Sequence, residues 1–458
     1  MVVVGIVVLG TLFVITPLVA VIALLVLAPM RTLIATESTF PLPLDIGQLL
    51  FAILCLVWII HKISKNKNTL RLVWSDVYTP LIGYVLITGL TVFNAVSLGA
   101  WMTEWLKWLF MLLLVILVLD MGQNRRWQWI ILALVLAGVA NALVGIYIFF
   151  GGSGALHLLV NNRFFRAFGT FGQPNPFGGF MGLIAPFAIM STCGYTVLLW
   201  RRWISAKKIS WMLFFVAGFY GISSILISAG LFLSWSRGAW LGFAVSVMVM
   251  LLASPRRLWQ GLLLVVMIIG LLFLLWTAGY LPETVTERVA SATEELFVLS
   301  DVRDVDITND NYAIVERLAH WQAALNMAEH NPFLGVGFGN YEVAYEQYRL
   351  LNWQEPLGHA HNYYLNVLAE TGIIGLIGYI AVFVNILFLT WRTRIHPDWL
   401  SRCLVVALLG SWSYLLIHSL TDNLYVNNIF IHTGVMFGIL AVFHREVSKS
   451  KKVPVSIG

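Results

Sequence analysis

Charged residues are scarce in this sequence. Only 11% of its 458 residues are Asp, Glu, Lys or Arg, whereas 59% are hydrophobic. Soluble globular chains usually carry about 25% charged residues, so the composition excludes an ordinary soluble protein. The apolar residues gather in long runs of the length that crosses a membrane as a helix. Backbone polar groups cannot stay unpaired in hydrocarbon, so we predict an all-α membrane protein.

Cysteine is also scarce, and nucleotide-binding motifs are missing. The three cysteines, Cys55, Cys193 and Cys403, all fall inside apolar runs, which excludes a disulfide framework or a cysteine-based metal cluster. The glycine-rich stretch 335–340 lacks the following Lys-Ser/Thr of a phosphate loop. No internal repeat is evident. We therefore expect no cofactor and no bound metal.

The apolar runs and the basic residues together predict the topology. We expect about twelve transmembrane helices, at residues 2–29, 44–61, 77–98, 102–119, 127–150, 174–199, 211–233, 238–253, 258–279, 362–390, 399–419 and 424–443. Alternate loops hold 19 of the 28 basic residues. Cytoplasmic loops carry such an excess, so both termini are predicted to be cytoplasmic, in a multi-pass protein of the bacterial inner membrane. The net charge of +6 is thus a topology signal, and we expect no nucleic-acid partner.

The longest polar segment, residues 280–358, falls on the opposite side. It carries 13 of the 22 acidic residues, and helices are predicted at 283–300 and 312–330, the second ending at the Asn331-Pro332 step. The chain divides accordingly into helices 1–9 (1–279), a mostly helical periplasmic loop domain (280–358), helices 10–12 (359–446) and a basic cytoplasmic tail (447–458).

Arginines on the outer side of the membrane are the first chemical signal. Arg163 and Arg166 precede the sixth span, Arg237 opens the eighth, and Arg317 lies in the long loop. A charged side chain within the membrane costs roughly 2.5–3.5 kcal/mol on insertion scales, so each arginine needs a partner or an anionic ligand. A snorkelling side chain or an internal ion pair explains any one of them equally well.

The histidines before the tenth span are the second signal. Asn362 is placed to cap that helix, which would leave His361 beside free backbone N–H groups and keep its imidazole neutral. A neutral histidine can take a proton from an alcohol, although a hydrogen-bonded interfacial histidine is an equally simple interpretation. Residues two apart on a helix point in different directions, so His359 and His361 are not expected to share a face or to bind a metal. Asp422, at the outer end of the eleventh span, either orients an arginine or a sugar hydroxyl, or makes a structural contact.

These residues suggest an anion-binding site at the outer face. The sixth, eighth and tenth spans all present helix N-termini there, and such ends bind anions. No nucleotide-sugar or ATP is supplied outside a bacterial membrane, so a synthetic reaction there needs a donor that arrives activated. A lipid diphosphate meets this need, and arginines can bind its leaving group.

The same stretches resemble the O-antigen ligase and O-antigen polymerase superfamily, which includes bacterial protein O-oligosaccharyltransferases. The resemblance runs from about residue 160 to 425. It is carried by RAFGTFGQPNP (166–176), SWSRGA (234–239), ERLAHW (316–321) with NPFLGVG (331–337), and HAHNYYL (359–365) with ETG (370–372).

The resemblance implies transfer of a glycan from undecaprenyl diphosphate to an acceptor hydroxyl on a glycan, on lipid A core or on a protein. It implies that neither nucleotide nor metal takes part. The family's key histidine corresponds to His361 and its arginines to Arg166, Arg237 and Arg317. We expect inverting transfer with His361 as catalytic base. Seven residues are expected to bind the diphosphate or the substrate: Arg163, Arg166, Arg237, Arg317, His359, Asn362 and Asp422. The alternative is a transporter or flippase of lipid-linked saccharides, which would need arginines along a path through the membrane and probably a repeat.

Overall fold

The computed structural model of the protein is 77% helical. The described residues are 16–37, 45–64, 73–152, 155–160, 163–280, 283, 286, 302–303, 305–308 and 311–452. The helices are, in chain order, α1 (Pro17–Leu27), α2 (Arg31–Glu37), α3 (Ile46–Ser64), α4 (Tyr78–Leu90), α5 (Leu98–Met121), α6 (Trp127–Tyr147), α7 (Pro174–Ala206), α8 (Trp211–Leu233), α9 (Arg237–Ala253), α10 (Leu258–Thr277), α11 (Tyr312–His330), α12 (Tyr341–Tyr348), α13 (Tyr363–Thr393), α14 (Trp399–His418) and α15 (Ile429–Lys452). Two short antiparallel strands, β1 (Leu159–Val160) and β2 (Phe164–Phe165), precede α7.

The predicted class of all-α membrane protein is confirmed. Ten of the described helices are long and apolar enough to cross a membrane, and two shorter ones, Tyr78–Asn94 and Arg237–Ala253, are also apolar. These twelve helices overlap the twelve predicted spans. The count of twelve crossings stays a prediction, because a perpendicular crossing needs about 20 residues and the two shorter helices have fewer.

The observed helix ends can be compared with the predicted ones, which fail where no glycine or proline interrupts the helix. The run 211–253 is divided as expected, since α8 ends at Leu233 and α9 begins at Arg237. The last helix continues to Lys452, past the expected boundary at 446, because residues 444–452 contain no glycine or proline. The first span was predicted at 2–29; residues 1–15 lie outside the described part, and α1 begins at Pro17.

Helices α7, α9 and α14 pack against one another and form the part of the bundle that carries the site. Small residues permit the close approach of α7 and α14, as is usual between membrane helices. The Tyr414 hydroxyl donates to the carbonyl oxygen of Gly178 at 2.8 Å. At Gly182 a Cβ atom would lie only 2.0 Å from the Tyr414 ring. This contact holds the N-terminal end of α7 beside the C-terminal end of α14.

The long polar segment is fastened onto the same end of the bundle. The predicted helix 312–330 is confirmed as α11, which packs on α13, whereas the predicted helix 283–300 lies outside the described residues. The turn after α11 is anchored by a hydrogen bond from Val336 N to Ala369 O (3.0 Å). Gly335 has a φ of 64°, and a Cβ there would meet the Glu370 carbonyl carbon at 2.3 Å. Only glycine fits this close approach of the loop to α13.

Candidate active site

One pocket collects the charged residues that the sequence singles out. It has a volume of about 270 Å³ and is lined by Arg166, Arg237, Arg317, His361 and Asp422, among others. These residues come from five separate parts of the chain: the segment before α7, the start of α9, the second turn of α11, the residue two before α13, and the loop after α14. The structure therefore brings three of the four predicted arginines, Arg166, Arg237 and Arg317, into one pocket with His361.

The arginines are placed by local backbone geometry. Arg166 Nε donates to Ser234 O at 3.1 Å and its Nη2 to Asn175 Oδ1 at 3.2 Å. The guanidinium thus ties the turn between α8 and α9 to the first turn of α7. Arg237 is the first residue of α9, and Arg317 lies one helical turn into α11. Burial lowers the pKa of Arg317, but a guanidinium remains charged because its ordinary pKa exceeds 12.

His359 and His361 meet, against expectation. Their ring centroids are 4.4 Å apart. The helical rule used to separate them fails because α13 begins at Tyr363, so both residues precede the helix. His361 has a φ of 51°, a conformation that non-glycine residues rarely adopt outside turns and functional sites. This turn brings its ring back over that of His359.

One carboxylate oxygen of Asp422 approaches a nitrogen of each imidazole. Its Oδ1 is 3.5 Å from His359 Nε2 and 3.7 Å from His361 Nδ1, and only 6% of its side chain is exposed. Oδ1 also accepts a hydrogen bond from Asn423 N at 2.8 Å. Burial acts to raise the pKa of Asp422, but the contact with His361 and the electrostatic effect of His359, His361 and His418 outweigh it. The pKa therefore lies well below its ordinary value, and the group is a carboxylate at neutral pH.

The hydrogen bonds of His359 fix its tautomer. Its Nδ1 accepts from the backbone N–H of His361 at 3.1 Å, so the ring proton is on Nε2 and points to Asp422. Burial lowers the pKa of His359 to about 4, more than the carboxylate raises it. His359 is neutral at pH 7 and supports the backbone of His361 from behind the pocket wall.

His361 Nδ1 is buried, and among the described residues it has no hydrogen-bond partner. The nearest acceptor is the Asp422 carboxylate, at a distance that a movement of less than 1 Å would close to a hydrogen bond. A proton on Nδ1 would face this carboxylate and leave Nε2 as the basic nitrogen. The arrangement is that of a histidine oriented by a buried acid, which can accept a proton from a hydroxyl.

Three predicted residues do not line the pocket. Asn362 caps α13, as predicted: its Oδ1 accepts from Tyr364 N (3.0 Å) and Leu365 N (3.2 Å). His359 lies behind His361. Arg163 is exposed, with its guanidinium carbon 5.0 Å from the centroid of the Phe164 ring. The structure therefore does not bring Arg163 to the other arginines, because β2 turns it away.

The pocket is also lined by residues that the sequence motifs did not single out individually: Asn175, Ser236, Glu316, Thr421 and His418. Four of them are direct neighbours of the predicted residues Arg237, Arg317 and Asp422 or belong to the same motifs. His418 was hidden within an apolar run. His320, which the sequence reasoning also passed over, packs its ring edge to face with that of His361, with centroids 6.0 Å apart.

His359, His361 and Asp422 are also the residues that could hold a metal ion. Their ligand atoms all lie within 4.8 Å of one another, and imidazole with carboxylate is a donor set for zinc. The positive charge of Arg317 acts on both His359 and Asp422, which disfavours a dication there.

Comparison with protein families finds a match that covers part of this site. Residues 222–380, about a third of the chain, match the family model described as O-antigen ligase. This part of the chain is similar to O-antigen ligases, and the match supports a place in the O-antigen ligase and polymerase superfamily. The matched residues include Arg237, Arg317 and His361, whereas Arg166 and Asp422 lie outside the match. Comparison with curated proteins finds no matching relative.

Proposed function

We propose that this membrane protein transfers a glycan from undecaprenyl diphosphate to an acceptor hydroxyl. The single observation that carries the proposal is the meeting of three arginines with a histidine–carboxylate pair in one pocket. Arginine guanidinium groups suit a diphosphate, and the histidine suits a hydroxyl. Similarity to O-antigen ligases supports a lipid-linked glycan as donor.

The proposed reaction is a single displacement with inversion. The acceptor oxygen forms a bond to the anomeric carbon while the bond from that carbon to the diphosphate oxygen breaks. The bonding electron pair leaves with undecaprenyl diphosphate. The hydroxyl proton passes to His361 Nε2, and Asp422 stabilises the imidazolium that forms at His361, from a distance of 3.7 Å.

The arginines act on the leaving group in this scheme. Negative charge grows on the diphosphate as the glycosidic bond breaks, and a preorganised cation there lowers the barrier. Arg237 also lies at the N-terminal end of α9, where the helix dipole adds to the positive potential. Removal of one such group typically costs about 2.7–4 kcal/mol of transition-state stabilisation.

We further propose that the pocket opens to the periplasm and that both termini are cytoplasmic. The basic loops lie at the other ends of the same helices: α7 begins at the pocket and ends beside Arg201 and Arg202. Cytoplasmic loops are the ones enriched in such residues. The lipid-linked donor would reach the pocket from the outer leaflet of the inner membrane.

The experiment is transfer by purified protein in nanodiscs, with lipid-linked donor and separate arms for a glycan, a lipid A core and a protein acceptor. Release of undecaprenyl diphosphate that depends on one acceptor is the expected result and identifies the acceptor class. His361→Ala should abolish release while the donor still binds. The matched control is His330→Ala, an exposed histidine of α11 outside the pocket lining, which should turn over normally.

The same preparation tests the rival interpretations. Full activity of His361→Ala would contradict the role as base, and movement of donor across the bilayer without release of diphosphate would indicate a transporter. We expect EDTA to leave turnover unchanged. Loss of turnover in EDTA with recovery on adding Zn²⁺ would instead assign His359, His361 and Asp422 to a metal.

A further inference from the structure

A second cavity lies between α7, α9 and α14, at the end of these helices opposite the candidate active site. Its volume is about 430 Å³, within the roughly 300–1,000 Å³ range of small-molecule pockets. Its walls are almost entirely apolar and include Met190, Val247, Leu251 and Val406. Helix α9 begins at Arg237 in the first pocket and lines this second cavity with its last two turns. The two cavities are therefore distinct.

One arginine lines this apolar cavity, and two exposed arginines lie near it. Arg402 lines it and donates from Nη2 to Ser254 O at 2.7 Å. The guanidinium carbons of Arg402 and Arg201 lie 5.5 and 4.9 Å from the same Trp399 ring centroid. Arg256 is near enough for its charge to act on Arg402. Solvent already weakens the repulsion at the exposed Arg201 and Arg256, and an anion between the three arginines would relieve it further.

The described part of the chain supplies no such anion. Its salt bridges include none from Arg201, Arg256 or Arg402 to a carboxylate. Asp398, adjacent in sequence to Trp399, is paired with Arg125. Arg402 is 9% exposed, and a guanidinium buried to that degree favours a bound counter-ion.

We propose that this cavity binds one anionic phospholipid. Its phosphate would be held by Arg201, Arg256 and Arg402, and part of one acyl chain would fill the apolar space between α7, α9 and α14. An apolar cavity next to a cationic rim matches a ligand that is anionic at one end and apolar at the other. Basic pockets between transmembrane helices bind acidic headgroups in this way.

Native mass spectrometry of the full chain, with titrated phosphatidylglycerol or phosphatidylcholine, tests the proposal. We expect one tightly retained phosphatidylglycerol and no comparable retention of phosphatidylcholine. Arg201→Gln with Arg256→Gln should weaken phosphatidylglycerol binding about 30-fold, which corresponds to about 1 kcal/mol for each charge. The matched control is Arg202→Gln with Lys208→Gln, two exposed basic residues next to α7's end that have no contact with Trp399 among the described residues. It should change binding less than threefold.

The native cysteines give a second measurement that needs no substitution. Cys193 lines the cavity, whereas Cys55 lies on α3 away from it. Phosphatidylglycerol should slow the alkylation of Cys193 relative to Cys55, and glycerol phosphate, which has no acyl chain, should not. Any of three results would overturn the proposal. They are equal retention of the two phospholipids, equal loss of phosphatidylglycerol binding in the test and control pairs, and displacement by glycerol phosphate at similar concentration.

Discussion

Replacing Asp422 with asparagine keeps the shape of the side chain and removes only its charge. The carboxylate is 3.7 Å from His361 Nδ1 and 94% buried, since 6% of its side chain is exposed. Asparagine can still accept the hydrogen bond that Asn423 N donates. We therefore expect Asp422→Asn to fold and to bind the lipid-linked donor, but to transfer the glycan slowly.

The magnitude follows from the distance. Two unit charges at this separation attract by about 4.5 kcal/mol at an effective dielectric constant of 20 and by about 1 kcal/mol in water. Because the pocket is buried, the attraction should be closer to the value for a dielectric constant of 20 than to the value in water. In the proposed mechanism His361 takes up the acceptor's proton as the reaction proceeds, so the loss falls on the transition state. A loss of about 2–4 kcal/mol corresponds to a kcat reduced roughly 30- to 1,000-fold.

The assay is steady-state release of undecaprenyl diphosphate, with donor affinity measured separately. Glu316→Gln is the informative comparison, because Glu316 lines the same pocket and carries the same charge but contacts Tyr312 rather than a histidine. Its kcat should fall far less than that of Asp422→Asn. Equal losses in the two variants would mean that only the net charge of the pocket matters, and a kcat near wild type in Asp422→Asn would refute the role given to this carboxylate.

Three further predictions concern the arginines, the helix cap and acid stability. Arg237→Gln should lower kcat about 100- to 1,000-fold in the same assay. Arg163 lies outside the pocket lining, so Arg163→Gln should lower kcat much less. Similar reductions in the two variants would mean that Arg163 contacts the substrate. Asn362→Ala should cost about 1 kcal/mol of stability through loss of the α13 cap, seen as a lower melting temperature together with reduced turnover; an unchanged melting temperature would contradict it. Burial lowers the pKa of His320 to about 4. The contribution of the neutral imidazole to the stability of the fold is therefore complete above pH 6.5 and is lost as the pH falls from 6.5 toward 4. The melting temperature should drop over that range, and it should drop less steeply in His320→Gln.

Much of the fold follows from hydrophobic patterning alone. Helix ends were well placed where a strong signal marks them, such as the interruption before Arg237 or the Asn331-Pro332 step after α11. The turn just before α13 could not be predicted, because the sequence His359-Ala360-His361 contains no signal for a positive φ at a non-glycine residue. That one dihedral angle decides whether the two imidazoles meet.

Most residues of the site could be predicted from the sequence, but the contacts between them could not. Arginines stranded on the outer side of the membrane are visible in a sequence because they are costly there. Arg163 and Arg166 look equivalent by that criterion, yet the β1–β2 hairpin directs one to the pocket and the other to the surface. The sequence alone does not decide between the alternative roles of Asp422, because its distance to His361 depends on how α14 packs against α7 and α9.

The carboxylate is the feature that separates the two leading functions. A pocket that only held a diphosphate for transport would gain nothing from Asp422 and Glu316, since each repels the anion that the arginines attract. A pocket that activates a hydroxyl needs a base, and a buried carboxylate against the far nitrogen of a histidine is how that base is oriented and its charged form stabilised. The contacts of Asp422 with both His359 and His361 therefore favour glycosyl transfer over simple passage of the lipid-linked donor.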